Sequence, residues 1–211
     1  MSANCCNSPR DAQTPPDARY RRVLWAALGI NLVMFLVEIV AGLLAGSASL
    51  QADALDFLGD AGNYAVSLAV VGMALKYRAR VALAKGATMG LFGLWVVGST
   101  AWHAIHGTLP SAATMGVVGF LALAANATVL VLLWSYRAGD SNMRSVWLCS
   151  RNDVIANCAV LLAALGVVGT GSNWPDIAVA AVIAVLALQG SWLVLRHAVA
   201  ELREVRAQAA E

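Results

Sequence analysis

Charge is scarce in this chain. Asp, Glu, Lys and Arg make up 12% of its 211 residues, while hydrophobic residues make up 60%. A soluble domain of this size would have too little polar surface to cover itself, so that class is excluded. Proline is also sparse, at five residues, and leaves long apolar runs unbroken. No Gly-rich phosphate cradle and no paired nucleophile and base occur, which argues against an enzyme and against ATP coupling. No nucleic-acid partner is suggested. Only four cysteines are present: Cys5 and Cys6 near the start, Cys149 and Cys158 within an apolar run. That is no disulfide framework. The first apolar run is of spanning length and follows a polar, Pro-containing stretch, so no cleavable signal is expected.

What remains reads as an all-α integral membrane protein. Each span needs about 20 apolar residues, and six fit, at roughly 24–45, 52–75, 84–105, 113–135, 145–168 and 176–195. We expect residues 1–19 to form a flexible tail, 20–198 the six-helix transmembrane domain and 199–211 a short C-terminal tail, helical in character. The basic residues sort by side. Arg10, Arg19, Arg21 and Arg22 precede the first span, Lys76, Arg78, Arg80 and Lys85 lie between spans two and three, Arg137 and Arg144 flank the turn between spans four and five, and Arg196, Arg203 and Arg206 follow span six. The turns around 46–51, 107–112 and 169–174 hold no Lys or Arg. Positive residues mark the inner side, so both termini are expected in the cytoplasm.

Against that apolar background, the acids stand out. An ionisable group at the centre of a membrane helix costs about 2.5–3.5 kcal/mol on insertion scales. At 100° per residue, Asp53, Asp56, Asp60 and Asn63 share one stripe of span two. Cys149, Asp153 and Asn157 form a similar stripe on span five, with Arg151 roughly opposite. Asp56 and Asp60 are one turn apart, as are Cys149 and Asp153, so each pair can reach a single point. Asp60 and Asp153 each lie about 12–14 Å from a predicted helix end, near the midplane where transporters bind substrate. Clustered carboxylates need a cation or protons between them. Metal and protons exclude one another on such groups, and a thiol favours Zn²⁺, Cd²⁺ or Co²⁺ over Mg²⁺ and Ca²⁺.

Weaker features have bland and functional readings side by side. Glu38, embedded in span one, bonds to a neighbouring helix or carries a proton. Cys5 and Cys6 are an incidental pair or an entry contact for soft metals. His103 and His106, near the outer end of span three, are interfacial polar residues or an exit contact. Gly86 and Gly90 form a small-residue pair that serves packing within one subunit or a dimer contact.

Gly46-Ser-Ala-Ser-Leu-Gln-Ala-Asp53-Ala-Leu-Asp56-Phe-Leu-Gly-Asp60 resembles the second-span signature of the cation diffusion facilitator family, and Met143-Arg-Ser-Val-Trp-Leu-Cys149-Ser-Arg-Asn-Asp153-Val-Ile-Ala-Asn157 resembles its fifth-span signature. Glu38 and Asp176 also match family positions. The likeness covers residues 20 to about 198. It implies a homodimeric secondary transporter that exports divalent transition metals in exchange for protons, with Asp56, Asp60, Cys149 and Asp153 as the metal site and Asp53, Asn63, Asn157 and Glu38 as auxiliary polar groups. Zn²⁺ is the favoured substrate, Cd²⁺ and Co²⁺ are alternatives, and no resident cofactor is expected. Many members carry His where this chain has Cys149. Most continue into a cytoplasmic domain after span six, so we expect a short form that pairs through its membrane region, in a bacterial-type inner (plasma) membrane. A metal-binding membrane protein that does not transport, and a proton-coupled carrier of another solute, are the alternative functions.

Overall fold

The computed structural model describes residues 18–69, 75–107, 109–137 and 141–208. Every regular element among them is helical: α1 (Ala18–Ala45), α2 (Ala48–Ala69), α3 (Leu75–His106), α4 (Ala112–Leu133), a 3-10 turn at Trp134–Tyr136, α5 (Ser141–Thr170) and α6 (Trp174–Gln208). Five stretches are long and apolar enough to cross a membrane: Ala18–Ala45, Ala82–His106, Ala112–Tyr136, Ser150–Thr170 and Trp174–Arg203. The remaining helix, α2, is 22 residues long, about 33 Å, but carries Asp53, Asp56 and Asp60. With six helices joined in sequence, the start of α1 and the end of α6 lie on the same side, called here the terminal face.

Some boundaries differ from the sequence expectation. Span two was expected from 52, but α2 already begins at Ala48; it is described to Ala69, and α3 is described from Leu75. Span six was expected to end near 195, and the helical character expected of the tail beyond it is seen, α6 continuing to Gln208. Its last turns are rich in Ala, Glu, Leu and Arg, good helix formers with no Gly or Pro to stop them.

The turns on the far face share one device. Gly46, Gly107 and Gly171 each follow the last turn of a helix with φ of +63°, +63° and +60°, a left-handed conformation that only glycine adopts without strain. At Gly46 the pattern is complete: the Gly46 amide donates to the Leu43 carbonyl at 3.4 Å and the Ser47 amide to the Gly42 carbonyl at 3.0 Å. The chain reverses within two residues and α2 starts at once.

Asp176 fixes that start. Asp176 sits in the first turn of α6 and reaches across to α2. Buried at 1% exposure, it accepts hydrogen bonds from the Ser47 hydroxyl (2.7 Å), the Ala48 amide (2.8 Å), the Ser49 amide (3.1 Å) and the Ser49 hydroxyl. Ser47 Oγ in turn accepts from the Leu50 amide at 3.2 Å. The free amides of the first turn of α2 therefore find their acceptors in Ser47 and in another helix.

α2 packs against α1, α3, α5 and α6, and residues 47–55 are buried without interruption. The acids of α2 consequently face protein rather than the exterior, as polar groups in a spanning helix must. The exterior is apolar: Leu32, Val33, Leu36, Val40, Leu43 and Leu44 of α1 are exposed, as are Val117, Phe120 and Val131 of α4. Lipid is the solvent that tolerates such a surface.

The Gly86 and Gly90 pair is filled from within the subunit. A Cβ on Gly86 would sit 2.9 Å from Leu195 Cγ, one on Gly90 2.8 Å from Ser191 Oγ, and one on Gly93 2.8 Å from Leu188 Cδ2. Ser191 also donates to the Gly86 carbonyl at 2.8 Å. Of the two readings of this pair, intrasubunit packing is the one realised.

Candidate metal centre

The stripe on α2 is real. Asp53 is wholly buried, Asp60 is buried at 8% exposure, and Asp56 and Asn63 are partly buried. α5 runs antiparallel to α2 and brings Asp153 to it. The Asp153 carboxyl meets that of Asp60 within hydrogen-bonding reach, and Asp56 lies close enough to both for direct electrostatic coupling. One Asp153 oxygen, Oδ2, is buried and has no partner among the described residues. Asn157, one turn on, donates from Nδ2 to the Asp153 carbonyl at 2.8 Å, and its buried Oδ1 is likewise unpartnered. Three carboxyl groups therefore lie within electrostatic reach of one another between two helices.

Among the described residues, no three His, Cys, Asp or Glu side chains are drawn together tightly enough to hold a metal by themselves. The fourth expected ligand, Cys149, lies on α5, but its side chain falls outside the described residues. Cys5 and Cys6 also lie outside them. Arg151 is exposed and stands over the Trp147 ring at 5.7 Å, away from the acids as its helical position requires. His106 is exposed, stacked on Trp102 at 3.6 Å and bonded through Nδ1 to the Trp102 carbonyl. The carbonyl of His103 accepts from Asn173 at 2.9 Å. His106 is thus occupied with its own helix.

Glu38 and Asp53 form a second acidic contact, between α1 and α2. Both are 0% exposed and lie within electrostatic range of each other. The two carboxyls are within hydrogen-bonding reach of each other, and none of the four oxygens finds another donor among the described residues. A buried polar atom without a partner costs about 1–3 kcal/mol. Glu38→Gln supplies an amide donor opposite Asp53 without changing side-chain size. This variant is expected to raise the thermal midpoint of the purified protein, by a stabilisation of roughly 1–3 kcal/mol; a lowered midpoint in a melting curve would refute the pairing.

Sequence reasoning missed two contributors. Tyr64, one turn beyond Asp60, donates its hydroxyl to Asp60 Oδ2 at 3.2 Å and lies 2.9 Å from Ser150 Oγ on α5. The signal was present in the i, i+4 spacing of Asp60 and Tyr64 and in the polar tip that a buried tyrosine must satisfy. Ser150 carried no signal of its own.

The family described as the cation efflux transmembrane domain matches residues 24–203. The chain belongs to the cation efflux family. That match covers every acid of the site, from Glu38 in α1 to Asp176 in α6. Its members are transporters and not enzymes. The chain is 25% identical over 215 residues to the zinc transporter ZitB of Escherichia coli K12, an alignment covering 94% of this chain and 67% of that protein. It is 25% identical over 195 residues to the metal cation efflux system protein CzcD of Cupriavidus metallidurans, covering 87% and 62%. With the cadmium, cobalt and zinc/H(+)-K(+) antiporter of Bacillus velezensis the identity is 23% over 185 residues, covering 80% and 58%. This cation efflux chain thus spans about three fifths to two thirds of the length of these relatives.

Proposed function

We propose that the chain is a secondary transporter that exports divalent transition metals from the cytoplasm in exchange for protons, with Zn²⁺ as the principal substrate and Cd²⁺ and Co²⁺ as others. The observation that carries this reading is the meeting of Asp60 and Asp153 between α2 and α5, with Asp56 beside them and buried acceptor oxygens unused. Such a group accepts either a divalent ion or protons, and the two compete for the same oxygens. That competition converts a proton gradient into metal movement. Asp56, Asp60, Cys149 and Asp153 form the ligand set in this reading, Asn63 and Asn157 border it, and Glu38 and Asp53 lie towards the far face. The distribution of Lys and Arg puts the terminal face in the cytoplasm. Rocking of the bundle exposes the site to each side in turn. Two copies pair through the membrane region. The names of the relatives, which specify zinc, cadmium and cobalt, support this choice of metals.

The test is metal-driven proton movement across sealed vesicles holding the purified chain, with a panel of ions at two pH values. Zn²⁺ is expected to drive proton counterflow and Mg²⁺ to drive none. Metal binding without flux would mean a sensor or an assembly partner, and proton flux indifferent to metal would mean a carrier of another solute. Cys149→His is expected to keep transport and shift the Zn²⁺/Cd²⁺ ratio towards Zn²⁺; an unchanged ratio removes the thiol from the ligand set.

A further inference from the structure

We propose that Tyr64 and Ser150 form the gate that closes the metal site towards the terminal face. The proposal rests on the transport reading above but is drawn from a different set of atoms. α2 runs towards the terminal face, so Tyr64 lies one turn beyond Asp60 on that side. α5 runs away from it, so Ser150 lies three residues before Asp153, again on the terminal side. The Tyr64 hydroxyl joins the two helices at that level, 3.2 Å from Asp60 Oδ2 and 2.9 Å from Ser150 Oγ. A phenol has a single proton to donate. With that proton given to Asp60, the 2.9 Å contact is made by the serine hydroxyl donating to the phenol oxygen. The result is a directed chain from α5 through Tyr64 to a proposed metal ligand.

The bar is sealed as well as bonded. Tyr64 and Ser150 are each 1% exposed, while Asp56 and Asp153 keep partial exposure. The Tyr64 ring packs with Tyr20, Leu24 and Ala27 of α1 and with Val129 and Leu133 of α4, and Leu68 and Trp147 close against the same cluster. An ion arriving from the terminal face meets this apolar plug before it meets a carboxylate. Passage requires the ring to leave the plug and both hydrogen bonds to break. Each such bond is worth a factor of roughly five to ten in the closed-to-open ratio. The same hydroxyl touches Asp60, so the gate senses what Asp60 holds: a metal ion drawing on Oδ2 weakens the bond that keeps the bar shut.

Tyr64→Phe removes the hydroxyl and leaves the ring in its cluster. Ser150→Ala removes the other end and leaves the phenol in place. Opening is measured without metal, by hydrogen exchange of the full chain in lipid nanodiscs. Ser150→Ala, which loses one bond, is expected to speed exchange of the amides at 61–66 and 147–152 about five- to tenfold, and Tyr64→Phe, which loses both, by more than that, with residues 48–56 unchanged. The double variant is expected to add little to Tyr64→Phe. For Ser150→Ala, which leaves the Tyr64 bond to Asp60 in place, Zn²⁺ affinity measured by titration is expected to stay within a few fold of the parent, while Zn²⁺ entry from the terminal side is faster in stopped flow. Unchanged exchange in both variants would overturn the gate. So would lowered Zn²⁺ affinity with unchanged exchange, which would make Tyr64 only a positioning residue for Asp60. If Tyr64→Phe fails to fold, Ser150→Ala alone decides. A parent protein that binds no Zn²⁺ would defeat the transport reading and leave the exchange result standing.

Discussion

Asp60→Asn and Asp153→Asn are each expected to abolish metal-driven proton movement while leaving the protein folded. The two carboxyls meet between α2 and α5, and each would contribute a charged donor to the same ion. Altering a group that merely supports a metal ligand typically costs ten- to a hundredfold in affinity, so loss of a ligand itself is expected to cost at least about a hundredfold. The fold has little reason to suffer. The Asn157 bond in this region goes to the Asp153 backbone carbonyl and survives the substitution. Each variant also removes one of three neighbouring like charges. Proton counterflow in vesicles and a melting curve on the same preparation separate the two effects. Flux at the parent level in both variants would remove the site assignment.

Asp176→Ala is expected to cause the largest loss of stability of any single change considered. It leaves the Ser47 and Ser49 hydroxyls and the Ala48 and Ser49 amides without the acceptor they share, in a place where Asp176 is 1% exposed and water does not replace it. Buried donors left unsatisfied cost about 1–3 kcal/mol each and do not add fully, so a loss of roughly 3–5 kcal/mol is expected. Asp176→Asn keeps one acceptor oxygen and should lie between Ala and the parent. Thermal unfolding in detergent is the measurement. An alanine variant that melts with the parent would mean that the start of α2 is held by Ser47 alone. Transport should fall with stability here, because the N-terminal turn of α2 sets the depth at which Asp56 and Asp60 sit.

The sequence made the number of helices, the acid stripe on α2 and the matching face of α5 legible, because apolar length and a 100° step are properties of one segment at a time. The turns around 46–51, 107–112 and 169–174 were legible for the same reason, but the left-handed conformation of Gly46, Gly107 and Gly171 was not read from it. The pairings between segments were not. Asp176 caps a helix that begins 128 residues earlier, and nothing in its own neighbourhood says so. Tyr64 reads as one more aromatic until α5 places Ser150 beside its hydroxyl. Glu38 and Asp53 belong to stripes on different helices, and only the close packing of α1 on α2 makes them a pair. Hydropathy marks the apolar stretch, which is why it missed that α2 already starts at Ala48, whereas the helix begins where its backbone bonding begins.

The glycine edge of α3 has a consequence for self-association. Gly86, Gly90 and Gly93 are spent on Leu195, Ser191 and Leu188 of the same chain, and a second copy seeking a close backbone approach finds that groove already occupied. Crosslinking pairs are therefore better placed on the outward apolar surfaces, such as Leu36 and Val40 of α1, Val117 and Phe120 of α4 or Leu162 and Leu165 of α5, than on that edge.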